Sequence, residues 1–237
     1  MTTPTPSSTL TGSTNQTATI GASTARPNVD IKALEKENNK LVLADLVKNY
    51  IIPESTIERF WYKLDKFLIS IYQNLSIVFI ENHFNDFYTN NLCQYQVLSS
   101  DFLLEKKDVL NWQLIGRFQT LSDSIIEQFY NQIGLSIVVQ FQTLSTGFML
   151  RHLDILPLDM LCVYQTLSMQ IIDTCIDKWN WSSICRYQNL ADAMIVKYHQ
   201  NIDWDTYLTY HGKQMPENLI NLFSAKVLKF LLNSTIQ

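Results

Sequence analysis

Residues 118–168 decide the fold: Phe118-Gln119-Thr120-Leu121-Ser122 returns as Phe141-Gln142-Thr143-Leu144-Ser145 and again as Tyr164-Gln165-Thr166-Leu167-Ser168, each 23 residues after the last. Outward from this core, Gln73 and Gln96 come before and Gln188 after at the same spacing. An aromatic residue precedes every one of these glutamines: Tyr72, Tyr95, Phe118, Phe141, Tyr164 and Tyr187. Leucine follows two positions on, then serine, with Ala191 replacing the serine in the last copy. Seven residues after the glutamine stand Ile80, Leu103, Ile126, Met149, Ile172 and Ile195. Sixteen after it stand Trp112, Trp181 and Trp204, with Leu135 and Leu158 in two other copies. A fixed period of this length marks a repeat protein, in which each unit buries its apolar side only against its neighbours.

One unit reads as two short helices. The serine is an N-cap, as in Leu121-Ser122-Asp123, with Ile125, Ile126 and Phe129 on one face. The second helix opens at Asn111-Trp112, Asn180-Trp181 and Asp203-Trp204, where Asn or Asp caps it. Helices of about two turns are not stable alone. The expected fold is therefore all-α, a solenoid of about eight helix pairs across 50–237, with units starting near 50, 73, 96, 119, 142, 165, 188 and 211. The outer copies are worn: IPESTI at 52–57 matches MPENLI at 215–220 after a two-residue slip. The apolar segment from Leu222 to Leu232, or the helix from Asp30 to Tyr50, is expected to dock on a second copy.

Two segments flank the array. Residues 1–29 are rich in Ser, Thr and Pro and hold one charged residue, Arg26, so they are expected to form a flexible arm. Residues 30–49 are expected to form one capping helix with Asp30 as N-cap, ended by Pro53. The whole chain is 46% hydrophobic and 17% charged, with a formal charge of −4. That charge disfavours a nucleic-acid partner. No apolar run has the length of a membrane span, so no membrane partner is expected.

The residue pattern predicts contact rather than catalysis. No glycine-rich phosphate loop or nucleophile elbow occurs, and no cofactor is expected. His83, His152, His199 and His211 are scattered over the repeats, which speaks against a metal site. Asp203 and Asp205 bracket a helix start, where their charge suits the helix dipole. The repeated glutamines are expected to tie up loose backbone groups at the corners, with a ligand-facing row as the alternative. The Trp row reads as core. Cys93, Cys162 and Cys185 each lie three residues before a repeat glutamine; with Cys175 they are candidates for intermolecular disulfides, reduced buried thiols being the competing reading.

The unit YQxLSxxFI…DxxxW resembles the short Q-x-L-S-E-x-F-I…W repeats of large DNA viruses, a resemblance covering roughly residues 50–235. In size and composition the chain also resembles the occlusion-body matrix proteins (polyhedrins) of nudiviruses. That resemblance implies a structural protein that assembles with itself, crystallises around virions inside the infected cell, in its nucleus, and protects them. It also implies release in alkali, where tyrosines and thiols gain negative charge. The alternative is a helical-repeat adaptor for a host protein.

Overall fold

A computed structural model describes residues 26–212, 215 and 217–228. Among them the chain is all-helical, with one isolated parallel bridge between Asn28 and Ile51. The chain forms two compact units, Met1–Gln142 and Thr143–Gln237. The arm falls mostly on residues 1–25, outside the described residues. Its last four residues belong to the fold instead. Val29 is buried and donates to the Ile51 carbonyl, while Ile51 donates to that of Pro27.

The first unit opens with α1 (Ile31–Lys36) and α2 (Lys40–Asn49), not one capping helix. Asp30 caps α1 as expected. The break comes from local capping: the Glu37 carboxylate accepts the N–H groups of Asn38 and Asn39, and the Asn39 side chain caps α2. Then follow α3 (Glu54–Arg59), α4 (Lys66–Tyr72), α5 (Ile77–Asn82), α6 (Thr89–Tyr95), α7 (Ser100–Glu105), α8 (Trp112–Phe118), α9 (Asp123–Ile133) and α10 (Leu135–Phe141). The second unit holds α11 (Thr146–His152), α12 (Leu158–Tyr164), α13 (Met169–Thr174), α14 (Trp181–Tyr187), α15 (Asp192–Tyr198), α16 (Trp204–His211) and α17 (Glu217–Leu222).

Caps set these boundaries. Ser76, Ser99, Ser122, Ser145 and Ser168 each accept the N–H three residues on, at 3.0–3.4 Å. Ala191 occupies the same place and provides no side-chain bond. Asn111, Asn180 and Asp203 cap the second helices. Gly134, at φ 93°, joins α9 directly to α10; only glycine takes that conformation without strain.

The second helices pack side by side. In the first unit α4 packs on α2 and α6, and α8 on α6 and α10; in the second, α14 packs on α12 and α16. Each turns two residues inward at the contact, such as Leu92 and Cys93, or Ile115 and Gly116. At Gly116 no side chain fits: a Cβ there would lie 2.3 Å from Ile133 Cγ2 at the end of α9 and 3.0 Å from Ile137 Cγ2 of α10.

The Trp row has a polar tether, and of its three rings Trp112 is buried while Trp181 and Trp204 are half-buried. Trp112, Trp181 and Trp204 donate through Nε1 to the carbonyls of Lys107, Ile176 and His199, five residues back in each case. Trp112 stacks on Phe129 at 3.8 Å and Trp181 meets Tyr198 at 5.4 Å, both 17 residues on. Trp204 meets Phe223, 19 residues on, which places the two-residue slip in three dimensions.

Candidate interaction surface

The repeat glutamines are committed to the stack. Gln119 Oε1 accepts from Leu98 N–H at 3.0 Å, and its Nε2 donates to the carbonyls of Cys93 and Gln96 at 2.9 and 2.7 Å. Gln73, Gln96, Gln142 and Gln188 make the same three bonds, to residues 21, 26 and 23 positions earlier. Gln165 Oε1 likewise accepts from Leu144 N–H. The acceptor carbonyls belong to the last turn of the preceding second helix, where intrahelical donors run out. Each amide thus staples one repeat to the one before it. All six are at most 8% exposed, so they do not form a ligand-facing row.

The cysteines lie inside. Cys93, Cys162 and Cys185 have no exposed surface, and the carbonyls of Cys93 and Cys162 receive a glutamine staple. In the folded chain these three are therefore out of reach of a second molecule, which corrects the expectation of intermolecular disulfides for them. Cys175 alone is partly exposed. Burial pushes the Cys162 thiol up to about 12 and the Cys185 thiol up to about 11. It raises Cys93 and Cys175 as well. Burial and the bond to Asp173 also raise Tyr198, so these groups resist the alkaline charging that the viral resemblance implied.

Polar clusters elsewhere read as struts. His83 Nε2 lies 2.7 Å from Glu58 Oε2, with its ring beside Trp61 and Phe79. Tyr198 makes the equivalent contact, donating to Asp173 Oδ1 at 2.9 Å, again 25 residues back. Bonds from Lys197 and Tyr198 hold the Asp173 carboxyl below its usual range. No group of three or more metal-ligating side chains occurs among the described residues.

What the second helices leave outside is distinctive. With Trp112, Ile115, Gly116 and Gln119 turned inward, Leu114 and Phe118 flank the buried edge and remain half-buried. The same turn of neighbouring helices carries Tyr72, Tyr95 and Phe141, all half-buried. The four helices α4, α6, α8 and α10 contain no Asp or Glu; Lys66 and Arg117 are their only charged residues. Arg117 stands 5.6 Å over the Phe141 ring. Carboxylates gather instead on the first helices, at Glu54, Glu58, Glu81, Asp101 and Glu105. In the sequence the aromatic row marks the repeat; in the fold it is half-exposed surface. The inward positions i, i+3, i+4 and i+7 of α8 carry that signal, since they leave Phe118 at the rim.

The aromatic row begins where the described chain begins. Arg26 Nη1 donates to the Tyr72 carbonyl at 2.6 Å and to that of Lys48 at 3.2 Å. In the second unit, Arg186 lies 5.1 Å from the rings of both Tyr187 and Tyr210. No family model, curated protein or solved structure matches the chain.

Proposed function

We propose that this chain is a protein-interaction scaffold that works by contact rather than catalysis, with the acid-free face of α4, α6, α8 and α10 as its docking surface. The observation that carries this reading is the row Tyr72, Tyr95, Phe118 and Phe141, held half-exposed in register. Aromatic rings on a rigid scaffold offer large contact area at small entropic cost. An acid-free face with Lys66 and Arg117 suits a helix or extended segment that is apolar with a few carboxylates. The test is affinity capture from producing cells with the parent chain and with Tyr95→Ser/Phe118→Ser. A partner held by the parent and lost by a variant of unchanged helicity supports the reading. A partner held equally by both refutes it.

A second reading is self-assembly into an occlusion-body matrix around virions. It is favoured by the sparse charge, 18 basic and 22 acidic residues in 237, with large apolar side chains such as Leu41 and Tyr62 about 80% exposed. Few ions would need desolvating at such contacts. Sedimentation separates the two: a matrix protein forms particles as concentration rises, whereas a scaffold stays monomeric until its partner is added.

A further inference from the structure

In the first unit the charges divide between the two kinds of helix. The first helices α3, α5, α7 and α9 hold seven carboxylates against one cation, Arg59, which pairs with Glu35. The second helices α4, α6, α8 and α10 hold two cations and no carboxylate. On the first helices Glu58, Glu81, Leu104 and Glu127 share one repeat position, 23 residues apart, and all four are exposed. Val78 joins them on α5 at 60% exposure, and Asp101 is exposed on α7. This row is apolar surface set with carboxylates, the chemistry that complements an aromatic face carrying Lys66 and Arg117.

Pitch makes a second copy the occupant that fits. Tyr72, Tyr95, Phe118 and Phe141 are also 23 residues apart, one on each second helix. Both rows therefore advance by one repeat per step, about 8–10 Å for a packed helix layer. A copy laid in parallel register sets its carboxylate row along the aromatic row over several repeats at once. Arg117 is exposed over the Phe141 ring, where a carboxylate of the other row can reach it. Lys66 is drawn back onto Trp61, whose carbonyl it bonds, so few ions lose water in the contact.

We infer that the first-helix row of one molecule, around Glu81 and Asp101, docks on the aromatic face of α4, α6, α8 and α10 of a second copy. The two patches differ, so every pair keeps one of each unfilled and adds further copies in the same direction. The inference rests on the docking surface proposed above and names the chain itself as its occupant. A chain that stays monomeric while its face still captures a partner through Tyr95 and Phe118 overturns the inference alone.

The first experiment is sedimentation of the full chain over a range of concentrations at low and high salt. The parent should form dimers and larger species that shrink as salt rises. Arg117→Glu and Glu81→Lys/Asp101→Asn should each weaken association about tenfold or more, with helicity unchanged. Mixing the two variants should restore it, because the reversed charges then face each other. A monomeric parent overturns the inference. So does a Glu81→Lys/Asp101→Asn chain that associates as the parent does, since copies then meet without the carboxylate row. The second experiment places the photo-crosslinker p-benzoylphenylalanine at position 118 of the full chain. The expected product has dimer mass, with the adduct on α3, α5, α7 or α9 of the other copy. A dimer adduct on α4, α6, α8 or α10, an adduct of monomer mass, or no adduct overturns the inference.

Discussion

Gln119 is the place to test the staple, because substitutions there separate lost bonds from lost shape. The side chain is 2% exposed and satisfies three backbone groups: Leu98 N–H, Cys93 C=O and Gln96 C=O. Gln119→Leu keeps the volume and strands all three. Each buried group left without a partner costs about 1–3 kcal/mol. The apolar side chain returns about 1–2 kcal/mol of burial. The expected net loss, after local relaxation, is about 3–5 kcal/mol. Gln119→Glu keeps one acceptor toward Leu98 but, when ionised, aims negative charge at two carbonyl oxygens. Its carboxyl must therefore titrate above the unfolded value of about 4.3. A folded value raised above the unfolded one leaves stability intact below about pH 4.3, and stability falls as pH rises through the folded value. Urea unfolding of the parent chain and both variants at pH 4 and pH 7 reads this directly. The Glu variant should lie within about 1–2 kcal/mol of the parent at pH 4, where it loses one donor, and fall at least as far as the Leu variant at pH 7. If both variants unfold within about 1 kcal/mol of the parent at pH 7, or the Glu variant shows no pH dependence relative to the parent, the staple does not hold repeats together.

Four further outcomes are expected. Gly116→Ala places a Cβ 2.3 Å from Ile133 Cγ2 and should cost about 1–3 kcal/mol, most of it recovered relative to Ile133→Ala alone in a double-mutant cycle; additive losses would show that the two do not touch. Ala191→Ser supplies the missing sixth cap and should stabilise by about 0.5–1 kcal/mol, while Ser122→Ala should lose about 1; thermal unfolding measures both, and a destabilising Ala191→Ser contradicts the capping account. In native buffer an aromatic disulfide reagent should modify Cys175 rapidly and the three buried thiols only on unfolding. The same thiols give an alkaline slope. Their folded values, about 12 for Cys162 and about 11 for Cys185, exceed the ordinary value of 9.0, so their contribution is full below about pH 9 and is lost as pH rises through the folded values. Cys162→Ala/Cys185→Ala should flatten the fall of Tm between pH 9 and 11, and an unchanged slope would assign it to other groups.

Much of the fold was legible from spacing. A 23-residue period, Ser at the first cap, and Asn or Asp before Trp follow from backbone donors that every helix start must satisfy, so local chemistry prints them in the chain. The break between α1 and α2 was less legible. Leu34 and Leu41 keep helical spacing across it, and only the competing bonds of Glu37 and Asn39 stop the helix. The half-exposed aromatic row was hidden for a different reason. Gln119 and Phe118 are neighbours in sequence, yet one is fully enclosed and the other half-exposed, because a step of one residue turns a helix by about 100°. Periodicity says that both recur but not which of them faces the stack. That choice is made by the carbonyls of the preceding repeat, 23 and 26 residues away, which capture the amide and leave the ring at the rim. The cysteines obey the same logic: their place three residues before the glutamine is plain in the chain. Their burial follows from helix packing on helix, a contact between residues far apart in sequence.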